Sequence, residues 1–180
     1  MIKIIKGNIL NATESVICNQ VDNGDMDNTN LAKQIKIKYP EVFKEYKWFL
    51  SNLGYHFGTC QLVLCNDGKT IANLFTKINI NQNNFMSTLK FFNNMIGKEW
   101  EYYFLKRSFE ELLLMAERHN LSIAIPHGIG CLDKNEDKFD IEWDVVYNII
   151  ENVFSDYDVV IYKLEGDLRY ETNKNYRKCF

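Results

Sequence analysis

Along the chain, short β-branched apolar runs alternate with longer stretches whose apolar residues recur three and four positions apart. The short runs are bounded by turn residues and predict strands at Ile2–Lys6, Ser15–Gln20, Thr59–Cys65, Thr70–Thr76, Ser122–Pro126 and Asp158–Leu164. The periodic stretches predict helices. One covers Leu31–Lys38 and stops near Pro40. Glu41–Leu53 carries Val42, Tyr46, Phe49 and Leu53 at helical spacing. Trp100–Arg118 sets Tyr102, Leu105, Phe109, Leu112 and Ala116 on one face, and Trp143–Phe154 repeats the pattern with Val146, Ile149, Ile150 and Val153. "CNDGKT", with its Asp67-Gly68 pair, predicts a hairpin turn between the third and fourth strands. Strands alternating with helices predict an α/β domain of three layers, a central mixed β-sheet flanked by helices. Ligands of such folds gather at the carboxyl ends of strands. Three loops therefore matter: those after Gln20 and Thr76, and "GIGC" after the fifth strand.

Composition narrows the functional classes. The 180 residues suit one domain with one sizeable core, and 46% apolar with 14% aromatic residues excludes a disordered chain. Lys and Arg number 21 against 24 Asp and Glu, so no global basic field gathers nucleic acid. No window reaches the ~18 uninterrupted apolar residues of a membrane span. "MIKIIKGNIL" has lysines inside its apolar run and no cleavage site, so no signal peptide is expected. Five cysteines, at 18, 60, 65, 131 and 179, are odd in number and lack C-x-x-C spacing, which predicts reduced thiols and a cytoplasmic location. The histidines at 56, 119 and 127 show no ligand spacing, and neither a metal nor a cofactor is expected.

Further strings carry chemistry. The glycines of "IPHGIGC" would let backbone approach a ligand closely, yet the "LDKNEDKFDIEW" that follows is thick with acids. Taken in order, "IKIIKGNILNATESVICNQV", "LAKQIKIKYPEVFKEY", "GTCQLV", "IANLFTK", "SIAIPHGIGC" and "DYDVVIYKL" resemble a macro domain. More narrowly, they resemble the branch of terminal ADP-ribose glycohydrolases and DNA-de-ADP-ribosylating antitoxins. The likeness implies a macro domain over residues 1–164, with 78–99 as an insertion or lid and 165–180 as a polar C-terminal extension. It implies binding of ADP-ribose or a modified ADP-ribose-like nucleotide. Hydrolysis of an ADP-ribosyl linkage, on a macromolecular partner, is one reading of such a site. The alternatives are a non-catalytic sponge for a nucleotide signal and a degenerate fold used for protein association. No membrane partner is implied, and the oligomeric state is left open.

The resemblance assigns residues position by position. Family members place an acid after the first strand to accept from the adenine amino group. Here Gly7-Asn8-Ile9 puts Asn8 there, which reads either as a base contact, its amide oxygen accepting, or as a strand-end turn residue. The first phosphate loop reads "VDNGDMDNTNLA", so Asp22 stands where the family's ribose-binding asparagine belongs, and Asn28-Thr29-Asn30 replace a glycine pair. Asp22, Asp25 and Asp27 would set up to three negative charges beside a diphosphate. At ~5 Å and an effective dielectric of ~20, each such like-charge pair costs about 3 kcal/mol before screening.

The second phosphate loop comprises His127, Gly128, Ile129, Gly130, Cys131 and Leu132, with Trp143 further along than in relatives. His127 reads as a core or site-wall residue or as an acid–base group. Cys131 reads as a small packing residue. The family's catalytic lysine follows the fourth strand, and "NLFTK" places Lys77 there, with Asp133, or Glu142 before the tryptophan, as its carboxylate. A lysine attacks only when deprotonated, so burial or a cationic neighbour has to lower its pKa. The other reading of Lys77 is a solvated strand-end residue. Met86, Leu89, Phe92, Met95 and Ile96 fit one helical face of the 78–99 segment, and Arg169, Arg177 and Lys178 give the tail positive charge.

Overall fold

A computed structural model of the chain describes residues 1–22, 24, 26, 29–54, 56–77, 98–131 and 141–165. The 78–97 part of the expected lid, the tail beyond 165, and Asp25, Asp27, Asn28, Leu132 and Asp133 lie outside the described residues.

Six strands form one sheet: β1 (Ile2–Lys6), β2 (Val16–Val21), β3 (Cys60–Leu64), β4 (Thr70–Phe75), β5 (Ile123–Pro126) and β6 (Val159–Lys163). Their spatial order is β1-β6-β5-β2-β4-β3. All neighbours are parallel except β3 and β4, which pair antiparallel with Cys60 opposite Leu74 and Leu64 opposite Thr70. The predicted hairpin turn joins these two. Gly68 takes φ +84°, its N–H donates to Cys65 O at 3.0 Å, and Asp67 Oδ1 accepts from Lys69 N at 3.0 Å.

Among the described residues four α-helices cover the sheet: α1 (Asn30–Lys38) and α2 (Pro40–Leu53), then α3 (Lys98–His119) and α4 (Trp143–Val153). Pro40 separates α1 from α2 by opening the second, because its fixed φ and missing N–H suit a first helical position. Gly54, at φ +76°, closes α2.

Strand alternation divides the core in two. Ile17, Val21, Ile71 and Phe75 point toward α1 and α2, where they meet Ala32, Ile35, Val42 and Tyr46. Val16, Cys18, Ala72 and Leu74 point the other way and meet Leu105, Phe109, Leu112 and Ala116 of α3 with Val146 and Ile150 of α4. Each fully buried Leu, Ile or Phe contributes about 1.5–3 kcal/mol of transfer free energy. The result is the three-layer α/β fold with a central mixed sheet. No helix among the described residues is long and apolar enough to cross a membrane.

Cys18, Cys60 and Cys65 are free thiols. Burial pushes all three pKa values up: Cys65 to about 11, and Cys18 and Cys60 well above the usual thiol range. Since only the thiolate reacts, native protein at pH 8 should alkylate these three at least about tenfold more slowly than unfolded protein. Peptide mass spectrometry after timed iodoacetamide treatment checks this.

Candidate functional site

The parallel strands β1, β2, β4, β5 and β6 bring their carboxyl ends to one edge of the sheet, and a cavity of about 310 Å³ opens there. Its walls come from segments distant in sequence. The end of β1 supplies Gly7, Asn8 and Ile9; the start of α1 supplies Thr29, Asn30 and Leu31; the turn after β5 supplies His127 to Cys131.

Asn8 leads into a single 3-10 turn, Ile9–Asn11, and its Oδ1 accepts from Leu10 N at 3.0 Å. The amide therefore caps a turn while also lining the cavity. On the facing wall, Thr29 caps α1, its Oγ1 accepting from Ala32 N at 3.0 Å and its carbonyl from Lys33 N at 3.1 Å. These bonds leave out the first two N–H groups of α1, those of Asn30 and Leu31, both cavity residues. The helix has no acid in its first turn, so its positive dipole end meets the cavity unopposed from within the helix.

The turn after β5 completes the cradle. Gly128 takes φ +76° and Gly130 φ +88°, a conformation that side chains rarely adopt. The turn is closed by Ile129 N to Pro126 O at 3.1 Å and Cys131 N to Gly128 O at 3.0 Å, while His127 N reaches Tyr162 O at 2.9 Å. The N–H groups of Gly128 and Gly130 take no part in these bonds. Gly130 has a second reason to be glycine: an added Cβ would lie 2.3 Å from Ile141 Cδ1. The His127 ring packs on Trp143 with centroids 4.4 Å apart.

Asp22 and Lys77 lie at the same sheet edge but off the cavity wall. The Asp22 carboxylate is turned back onto its own loop, where Oδ1 accepts from Gly24 N at 2.7 Å, and the residue is 7% exposed. The Tyr46 hydroxyl donates to Asp22 O at 2.5 Å and also lies 3.1 Å from Gly24 O. Met26, fully buried at φ +57°, pins the same loop into the core. Lys77 is 7% exposed, and its backbone N–H donates to Val21 O at 3.4 Å, which ties the end of β4 to the end of β2. Glu142 is exposed; it stands at the N-cap of α4, and its N–H donates to Tyr102 Oη at 2.7 Å.

Sequence reading passed over Gln20, Gln34, Pro126, Tyr162 and Leu164, all of which line the cavity. For Gln20, Pro126, Tyr162 and Leu164, the usable signal was position at or just past a strand's carboxyl end. Tyr162 is held by donation of its hydroxyl to Glu14 Oε2 at 2.7 Å. Burial, then that bond, raises its pKa, so it stays protonated.

Together these features define an α/β protein with a small-molecule cavity at the carboxyl edge of a mixed sheet. Solved structures similar to this chain include several macrodomains, and this chain has the macrodomain fold. It is similar to the macrodomain of Mycobacterium tuberculosis DarG, with 21% identity, TM-score 0.66, and 90% of this chain and 97% of that one covered. It is similar to the macrodomain of Thermus aquaticus DarG, with 16% identity, TM-score 0.64, and 92% and 98% covered. Thermosipho africanus DarTG in complex with ADP-ribose matches at 14% identity and TM-score 0.62, over 89% of this chain and 41% of that one. No sequence-family profile matches this chain, and no curated protein sequence does.

Gly130→Ala should destabilise the fold by about 1–3 kcal/mol, because a left-handed backbone and a crowded Cβ both resist alanine. Adding Ile141→Ala should leave the left-handed strain in place. Urea unfolding of the single and double variants checks both statements.

Proposed function

We propose that the chain binds ADP-ribose or a closely similar nucleotide in the cavity at the carboxyl edge of the sheet. The observation that carries this reading is the pairing of the Gly128–Gly130 turn with the amino end of α1 across one cavity. The N–H groups of Asn30, Leu31, Gly128 and Gly130, all residues of the cavity wall, lie outside the turn and cap bonds, which suits a diphosphate better than any apolar ligand. At about 310 Å³ the cavity falls within the about 300–1,000 Å³ typical of small-molecule sites. The amide of Asn8, the Ile9 side chain and Leu164 offer a partly apolar end that suits a base. The turning back of Asp22 supports the same reading, since one of the acids in the first loop is engaged by its own backbone. That a structurally similar protein is solved with ADP-ribose adds weight.

A second reading adds hydrolysis of an ADP-ribosyl linkage with Lys77 as the attacking group. What favours it is the burial of Lys77 at the strand end, since lysine is seldom so enclosed. Lys77 stands at the same sheet edge as the cavity, and burial disfavours the charged form of an amine, which favours nucleophilic use. Asp133, assigned by resemblance as its carboxylate, lies outside the described residues.

The test is thermal unfolding against ADP-ribose, AMP, NAD and phosphorylated or cyclic ADP-ribose derivatives. At ~100 times its Kd a ligand adds ~2.7 kcal/mol, which raises Tm by roughly 5–10 °C. Such a shift with ADP-ribose or a close derivative is expected, and no response across the panel overturns the proposal. For hydrolysis, Lys77→Ala should abolish release of ADP-ribose from modified substrates while leaving the Tm shift in place.

A further inference from the structure

Among the described residues Gln20 is the one glutamine that a strand of the sheet delivers to the cavity. It stands near the carboxyl end of β2, between β5 and β4, and is only 6% exposed. Its Nε2 donates to Thr76 Oγ1 at 2.7 Å, and Thr76 is itself 1% exposed in the segment after β4. The side chain is thus fixed across two strands. A glutamine amide has a donor end and an acceptor end. Thr76 takes one of the two Nε2 N–H groups, and Oε1 accepts from nothing among the described residues, which leaves the acceptor for a ligand.

That acceptor contrasts with its surroundings. The Gly128–Gly130 turn and the amino end of α1 offer backbone donors, which suit phosphate oxygens. A carbonyl oxygen among them suits a hydroxyl, which phosphates lack and riboses have. We propose that Gln20 is a specificity-determining residue: its Oε1 accepts a hydrogen bond from a ribose hydroxyl of the bound nucleotide. The cavity thereby distinguishes a ribosyl ligand from a bare or deoxygenated one. This inference rests on the ADP-ribose-like reading of the cavity. It adds to that reading a residue which neither the sequence pattern nor the family resemblance had singled out.

The experiment is calorimetric titration of the unmodified protein and of Gln20→Met with three ligands. These are ADP-ribose, ADP (which lacks the second ribose), and an ADP-ribose whose adenosine ribose is 2′,3′-dideoxy. Gln20→Met keeps the length of the side chain and removes the acceptor. It should weaken ADP-ribose roughly tenfold, the scale of one hydrogen bond. Against whichever analogue lacks the hydroxyl that Gln20 meets, the same substitution should cost less than about twofold. An unchanged affinity for ADP-ribose overturns the proposal. So does an equal penalty on all three ligands, which is what a reversed amide donating to the shared diphosphate would give. Thr76→Val, which releases the amide without removing it, should reproduce part of the loss with the same ligand dependence. It carries the test if Gln20→Met does not fold. If the unmodified protein binds none of the three, the ADP-ribose reading fails first, and the result is distinct from any outcome with the variants.

Discussion

Strand β2 has no exposed face and no open edge: all six of its residues are buried, with β4 on one side and β5 on the other. The whole site depends on how that strand is registered. Its centre carries a buried amide, Asn19, whose Nδ2 donates to Asn73 Oδ1 on β4 at 3.0 Å, and Asn73 in turn donates to Gln61 Oε1 on β3 at 3.1 Å. A slip of one residue would turn these amides to the other face of the sheet and break the chain of bonds. Among the described residues Asn19 Oδ1 has no hydrogen-bond partner, so the ladder is not fully satisfied even in register. Polar groups buried in this way weigh more on register than on stability, because every alternative pairing strands more of them.

Register then decides which side chains arrive at the carboxyl edge. With Val21 opposite Phe75, the residues just beyond them, Asp22 and Lys77, come to the same rim, and Lys77 N reaches back to Val21 O. One step earlier, Gln20 bonds Thr76. On the other side, the short pairing of β2 with β5 ends at Ala124, so β5 runs on to place its glycine turn beside the cavity. Five parallel strand ends and one helix start therefore converge on that edge, and only the end of β2 and the start of α1 are close neighbours in sequence.

The cavity wall so formed is built, among the described residues, from backbone turns and a helix start rather than from charged side chains. Among the described residues no Lys or Arg lines the cavity. Backbone donors fixed by turns and caps need no reorganisation when an anion arrives. Gly128 and Gly130 take up left-handed conformations without the strain that a side chain would bring, whereas Met26 holds one as a non-glycine residue away from the cavity wall.

The sequence by itself determined the elements. Periodicity placed each of the six strands and four helices to within about two residues, because apolar spacing and turn chemistry are local signals. The Asp67-Gly68 turn and the helix opened at Pro40 were legible for the same reason. Asn8, Ile9, Thr29, Asn30 and the run from His127 to Cys131 were candidates because recognisable strings carry them, and they line the cavity. What only the tertiary structure decided was orientation. The turning of the Asp22 carboxylate onto Gly24, the burial of Lys77 and the delivery of Gln20 to the cavity leave no mark in spacing or composition. The Asp22 bond is a local loop contact, but the burial of Lys77 and the delivery of Gln20 depend on which strand lies next to which, and that is fixed by pairing across fifty or more residues rather than by neighbours along the chain.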